Sequence, residues 1–128
     1  MELNGTRVYV ENLGCAKNQV DAEVMLHALV QAGCVAVETA DGADVVLVNT
    51  CGFIEPARKE SIDTFFALRE QYPAAKVVLT GCLSQRYGKE LDQELVEADG
   101  IFGNRDLRRI VPFVRRLLQS ARPVEFPT

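Results

Sequence analysis

Residues 43–51 read Ala43-Asp44-Val45-Val46-Leu47-Val48-Asn49-Thr50-Cys51. The apolar run through residues 43–49 is continuous rather than alternating. A strand buried on one face alternates apolar and polar residues, whereas one covered on both faces does not. The run therefore predicts a central strand of a parallel sheet, flanked by helices on both sides. Upstream, residues 7–12 (RVYVEN) are β-branched and aromatic and end at a Leu13-Gly14 turn, which predicts a first strand. Between the two, residues 18–32 carry Val20, Val24, Met25, Ala28, Leu29 and Ala32 at helical spacing, with Asn18 as the expected N-cap and Gly33 at the C′ position. Residues 35–38 make a short second strand.

Downstream, Pro56 suits the first turn of a second helix reaching about residue 71, with Ile62, Phe65, Phe66 and Leu68 inward and Pro73 as its stop. Residues 76–80 (KVVLT) predict a fourth strand, residues 84–97 a helical stretch broken near Gly88, and residues 100–102 a short fifth strand. Asn104 is the expected cap of a last helical region, with Leu107, Ile110, Val111, Val114, Leu117 and Leu118 as one stripe. Pro112 inside it predicts a kink or two short helices. The tail, residues 122–128 (RPVEFPT), has two prolines and no periodicity and reads as a linker. Strands alternating with helices predict an α/β, flavodoxin-like, doubly wound and mostly parallel five-stranded sheet in the order 2-1-3-4-5.

The 128 residues suit one domain, and 48% hydrophobic with 25% charged residues is ordinary for a globular one. No apolar run approaches the ~18–20 residues of a membrane helix, and the first residues show no basic and apolar leader. The expectation is a cytoplasmic protein without membrane contact. A net charge of −4 is a poor footprint for nucleic-acid binding by this domain alone. Arg105, Arg108, Arg109, Arg115, Arg116 and Arg122 crowd the last quarter, as a solvated helix face or as a docking surface.

Four cysteines without an export signal point away from disulfides. Cys15, Cys51 and Cys82 each follow a predicted strand, the first, third and fourth, which are neighbours in the expected order. The carboxyl ends of parallel strands form ligand sites, so three thiols would share one edge. Cys34, between the first helix and the second strand, falls at the opposite edge and reads as a structural residue. The lone histidine, His27, lies mid-helix. Structural zinc takes four ligands in a closed site, while thiolates are the usual ligands of iron–sulfur clusters. Spacing alone leaves two readings: a three-cysteine metal site with one open position, or three small turn residues. Lys17, Arg58 and Arg86 lie near these cysteines as charge balance for thiolates or as surface charge. Phe53 and Ile54 read as shielding or as core, and Gly14 and Gly81 allow close backbone approach.

Three motifs add to this: Leu13-Gly14-Cys15-Ala16-Lys17-Asn18, Asn49-Thr50-Cys51-Gly52-Phe53-Ile54 and Thr80-Gly81-Cys82-Leu83-Ser84-Gln85-Arg86. In that order they resemble the N-terminal, UPF0004-type domain of the radical-SAM methylthiotransferases. The resemblance covers nearly all of residues 7–119 and implies that Cys15, Cys51 and Cys82 bind an auxiliary 4Fe-4S cluster with one open iron. The first two motifs are similar to the branch that adds a methylthio group to the β-carbon of an aspartate in ribosomal protein twelve of the small subunit. The other branch modifies tRNA adenosine.

The resemblance further implies a radical-SAM core, carrying a second 4Fe-4S cluster and S-adenosylmethionine, and a TRAM domain. No CxxxCxxC motif is present here. The expectation is therefore a cluster-binding domain over residues 1–120, and a linker over residues 121–128 toward a missing core. Such a chain would be inactive alone and would hold and position sulfur for a radical made elsewhere. Two readings of another class compete. A flavodoxin-like flavin or nucleotide binder needs a phosphate-cradling loop, and residues 12–18 hold a single glycine. An interaction module would work through the arginine-rich end with no metal.

Overall fold

The structure, a computed structural model, describes residues 3–13, 16–50, 55–81, 99–103, 106–119 and 123–125, with backbone alone at 16–19, 50, 55–61, 81 and 125. Its strands are β1 (Arg7–Asn12), β2 (Val35–Ala36), β3 (Val45–Thr50), β4 (Lys76–Gly81), β5 (Gly100–Phe102) and β6 (Val124–Glu125). Its helices are α1 (Ala16–Gln31), α2 (Glu55–Gln71) and α3 (Ile110–Leu118), the last preceded by a 3-10 turn at Leu107–Arg109. The strands form one sheet in the order β2-β1-β3-β4-β5-β6. Every pairing is parallel. The expected flavodoxin-like order 2-1-3-4-5 is present, and β6 extends it by one edge strand.

The apolar run of β3 behaves as its composition dictates. Val45, Val46, Leu47 and Val48 are all 0% exposed. Successive strand side chains point to opposite faces, so they feed two cores. Val46 and Val48 pack with Phe65 and Leu68 of α2 and with Val77, Leu79 and Ile101. Val45 and Leu47 pack with Met25 and Leu29 of α1, Phe113 and Val114 of α3, and Val8, Val78 and Phe102. Each such side chain removed from water contributes ~1.5–3 kcal/mol. Helices on both faces make the sheet doubly wound.

Local signals explain the element ends. Helix α1 closes in a Schellman motif: Cys34 N–H donates to the Leu29 carbonyl (2.9 Å) and Gly33 N–H to that of Val30 (3.0 Å). Gly33 holds φ at 111°, as its place at C′ requires. The other end departs from expectation. The helix starts at Ala16, so Asn18 lies within it rather than capping it. The buried stripe of α1 is Ala22, Met25 and Leu29, while Val20 and Val24 are exposed; both sets fit helical spacing, and only packing selects one. Likewise Phe66 lies exposed against the edge of buried Phe65, not inward.

Pro112 divides the last helical region as its chemistry predicts. A 3-10 turn capped by Asp106 precedes α3, and Pro112 falls in the first turn of α3, where a missing N–H costs no hydrogen bond. Phe113, absent from the expected stripe, is fully buried and meets Phe102 edge-to-face at 5.1 Å. Val124 and Glu125, within the stretch read as a linker, pair with Ile101 and Phe102. A two-residue edge strand is too short to show periodicity in sequence. The expected Asn104 cap and the helical stretch at residues 84–97 lie outside the described residues.

Candidate metal centre

The carboxyl ends of β1, β3 and β4 lie side by side. Asn12 of β1 is in register with Asn49 of β3, and Asn49 with Thr80 of β4. The β3–β4 ladder runs one residue further, pairing Thr50 with Gly81. On the other side Leu13 N–H donates to the Asn49 carbonyl (2.9 Å), carrying the β1–β3 ladder past the end of β1. Cys15, Cys51 and Cys82 follow these ends by two, one and one residues, counted from Leu13, Thr50 and Gly81. The three cysteines themselves lie outside the described residues, as do Gly14, Phe53, Ile54 and Arg86 and the side chains of Lys17 and Arg58.

Beneath this edge lies a polar row that the sequence reading passed over. Asn49 and Thr80 are fully buried. The Thr80 hydroxyl lies 3.3 Å from both the Asn49 Oδ1 and the Val48 carbonyl, and Asn49 Nδ2 donates to Asn12 Oδ1 (2.9 Å). Asn12, at the β1 end, is half-buried. A buried amide or hydroxyl without such partners costs ~1–3 kcal/mol, so these groups are held as a set. The signal was in the spacing: Asn49 and Thr80 each precede a cysteine by two residues, the period at which an extended strand returns to one face.

The opposite edge is built differently. There Asp44 Oδ2 accepts from Arg7 N–H (2.9 Å) and Asp99 Oδ2 from Val77 N–H (2.8 Å), with Arg69 paired to Asp99. Carboxylates tie off the strand starts, while neutral amides and a hydroxyl line the strand ends. Cys34 belongs to the first region. It is buried in the α1-side core, and burial pushes its thiol pKa up. His27 is exposed on α1, 3.4 Å from Gln31 through its Nε2. Among the described residues no three His, Cys, Asp or Glu side chains gather as a metal site.

The arginine-rich end is exposed at Arg108, Arg109, Arg115 and Arg116. Asp106 accepts from both the backbone N–H and the Nε of Arg108, which holds its carboxyl below the usual range. Arg105 and Arg122 lie outside the described residues. Among the described residues no helix is long and apolar enough to cross a membrane.

The chain matches the family described as "Uncharacterized protein family UPF0004" over residues 7–103. It is similar to the ribosomal protein uS12 methylthiotransferase RimO of Syntrophus aciditrophicus (strain SB), with 47% identity over 118 residues, 90% of this chain and 26% of the relative. The proteins of that name from Kineococcus radiotolerans and Syntrophomonas wolfei are 41% and 46% identical. They cover 91% and 87% of this chain, which covers 30% and 26% of them. The chain thus spans less than a third of the length of these curated relatives. With 97 of its 128 residues inside the family match (7 to 103 inclusive), the chain belongs to the UPF0004 family.

Proposed function

We propose that this chain is the auxiliary-cluster domain of a methylthiotransferase acting on ribosomal protein uS12, with Cys15, Cys51 and Cys82 as ligands of a 4Fe-4S cluster. The observation that carries the reading is the adjacency, in register, of the β1, β3 and β4 ends, each followed within three residues by one of these cysteines. A trans peptide advances the Cα trace by about 3.8 Å per residue, so short tethers leave each thiol little range from its strand end. Thiolates are the ligand type that iron–sulfur clusters take. His27 on α1 is exposed and Cys34 is committed to the core, so neither competes as a fourth ligand.

A cluster held by three thiolates leaves one iron open, which supplies a place to hold sulfur for transfer. The chain's own part is to fix the three thiolates, exclude competing ligands and keep the strand ends in register. Reductive cleavage of S-adenosylmethionine, with its own 4Fe-4S cluster, belongs to a radical-SAM core, and a TRAM domain would complete the protein. Residues 121–128 would lead toward that core. The relatives' names support ribosomal protein uS12 as the substrate. The place of action would be the cytoplasm.

Anaerobic reconstitution with iron and sulfide tests the ligand set through iron content and visible absorption. Cys15→Ala, Cys51→Ala and Cys82→Ala should each lose the cluster, and Cys34→Ala should keep it. Retention in Cys51→Ala, or loss in a folded Cys34→Ala, overturns the assignment.

A further inference from the structure

We propose that Asn12 is a hydrogen-bond donor to sulfur held at the strand ends, its amide aimed by the row Thr80–Asn49–Asn12; the proposal rests on the cluster reading above. Its basis is the order of hydrogen bonds along the row. A threonine hydroxyl carries one proton, and here it is directed at Asn49 Oδ1 and the Val48 carbonyl. Asn49 spends an N–H of its Nδ2 on Asn12 Oδ1. Asn12 therefore has its acceptor oxygen engaged from within the sheet, which leaves its Nδ2, with two protons, as the donor end of the row. Among the described residues the one hydrogen bond of the Asn12 side chain is the one it accepts from Asn49.

The position suits the role. Asn12 is half-buried at the last residue of β1, beside the ends of β3 and β4, whereas Asn49 and Thr80 behind it are fully buried. One row deeper on the same face, Val10, Leu47 and Val78 are apolar. An apolar row would have served packing equally well at Asn49 and Thr80. A buried polar row that runs in one direction and ends in an N–H pair at the site edge fixes the orientation of that pair. Hydrogen bonds to cluster sulfurs stabilise the reduced, more negative state and raise the reduction potential.

The test measures the midpoint potential of the reconstituted chain, with Asn12→Leu, neutral and close in size, as the variant. The expected result is unchanged iron and sulfide content and a lower potential. The shift should be about tenfold in the reduction equilibrium, or ~59 mV for one electron. A potential that is unchanged or raised overturns the donor role; a raised one would mean that the amide offers its oxygen instead. Pulsed electron–nuclear spectroscopy of the reduced, unsubstituted chain, labelled with 15N-asparagine, needs no variant. A side-chain nitrogen coupled to the cluster supports the proposal, and its absence overturns it. A chain that takes up no iron overturns both readings. A chain that takes up iron but shows neither effect overturns the Asn12 role alone.

Discussion

Two consecutive rows of one sheet face carry opposite chemistry. The deeper row, Val10, Leu47 and Val78, is apolar, and Leu47 and Val78 sit in the core beneath α1 and α3. The next, Asn12, Asn49 and Thr80, shares the same strands and register, yet its members meet through hydrogen bonds. Asn49 is as buried as Leu47. Burial therefore does not separate the two rows; distance from the strand ends does. The apolar row holds the sheet to its helices by non-directional packing. The polar row has direction, because amide and hydroxyl groups bond only along set axes, and it borders the edge to which the three strand-end cysteines are attached.

That division predicts separable effects. Leu47→Ala should cost the most stability, about 2–5 kcal/mol by denaturant unfolding, because it empties a site packed on all sides. Iron uptake by the folded fraction should stay near that of the unsubstituted chain. Asn49→Leu should cost less, about 1–3 kcal/mol, by removing a partner of both Asn12 and Thr80. It should nevertheless weaken iron retention against a chelator more than Leu47→Ala does. Equal chelator sensitivity in the two variants would break the distinction between the rows.

The smallest effect concerns Cys34, at the opposite edge. Burial raises its thiol pKa, so thiolate is scarcer than in an exposed thiol at the same pH. Alkylation of Cys34 in the native chain at pH 8 should be slower than that of a free cysteine peptide and should reach the peptide's rate in denaturant. The linkage has a definite sign. A folded-state pKa above the unfolded value stabilises the fold fully below the unfolded thiol pKa, and that contribution fades as pH rises through the raised folded value. Cys34→Ala should accordingly lessen the loss of stability on the alkaline side. Native alkylation as fast as the peptide's would place Cys34 with accessible thiols rather than with the core.

The sequence was legible where one element's composition suffices. The apolar run of β3, the Schellman glycine at Gly33 and the division of the last helical region near Pro112 are local matters of burial, φ and missing N–H groups. The strand-end spacing of the cysteines was equally visible, and the motifs around them lie inside the stretch, residues 7–103, that matches the family. Reading failed where two faces of one helix fitted the same period. Val20 and Val24 share the helical spacing of Met25 and Leu29 yet are exposed, as is Phe66, expected inward, because helical spacing marks a stripe without saying which stripe meets the sheet. It failed also at Val124–Glu125, where two residues gain strand structure only from pairing with β5.

What the sequence determined by itself was the alternation of strands and helices and the position of Cys15, Cys51 and Cys82 one to three residues past a strand. That alternation narrowed strand order to a few arrangements, of which the expected 2-1-3-4-5 is present with β6 added at its edge. The tertiary structure alone decided that Asn12, Asn49 and Thr80, successive members 37 and 31 positions apart, form one hydrogen-bonded row. Hydrogen bonds between strands depend on register, and register is fixed only when the strands pack a face of the sheet against the core. The two-residue spacing to a cysteine marks Asn49 and Thr80 in the chain, but only register brings them together and adds Asn12.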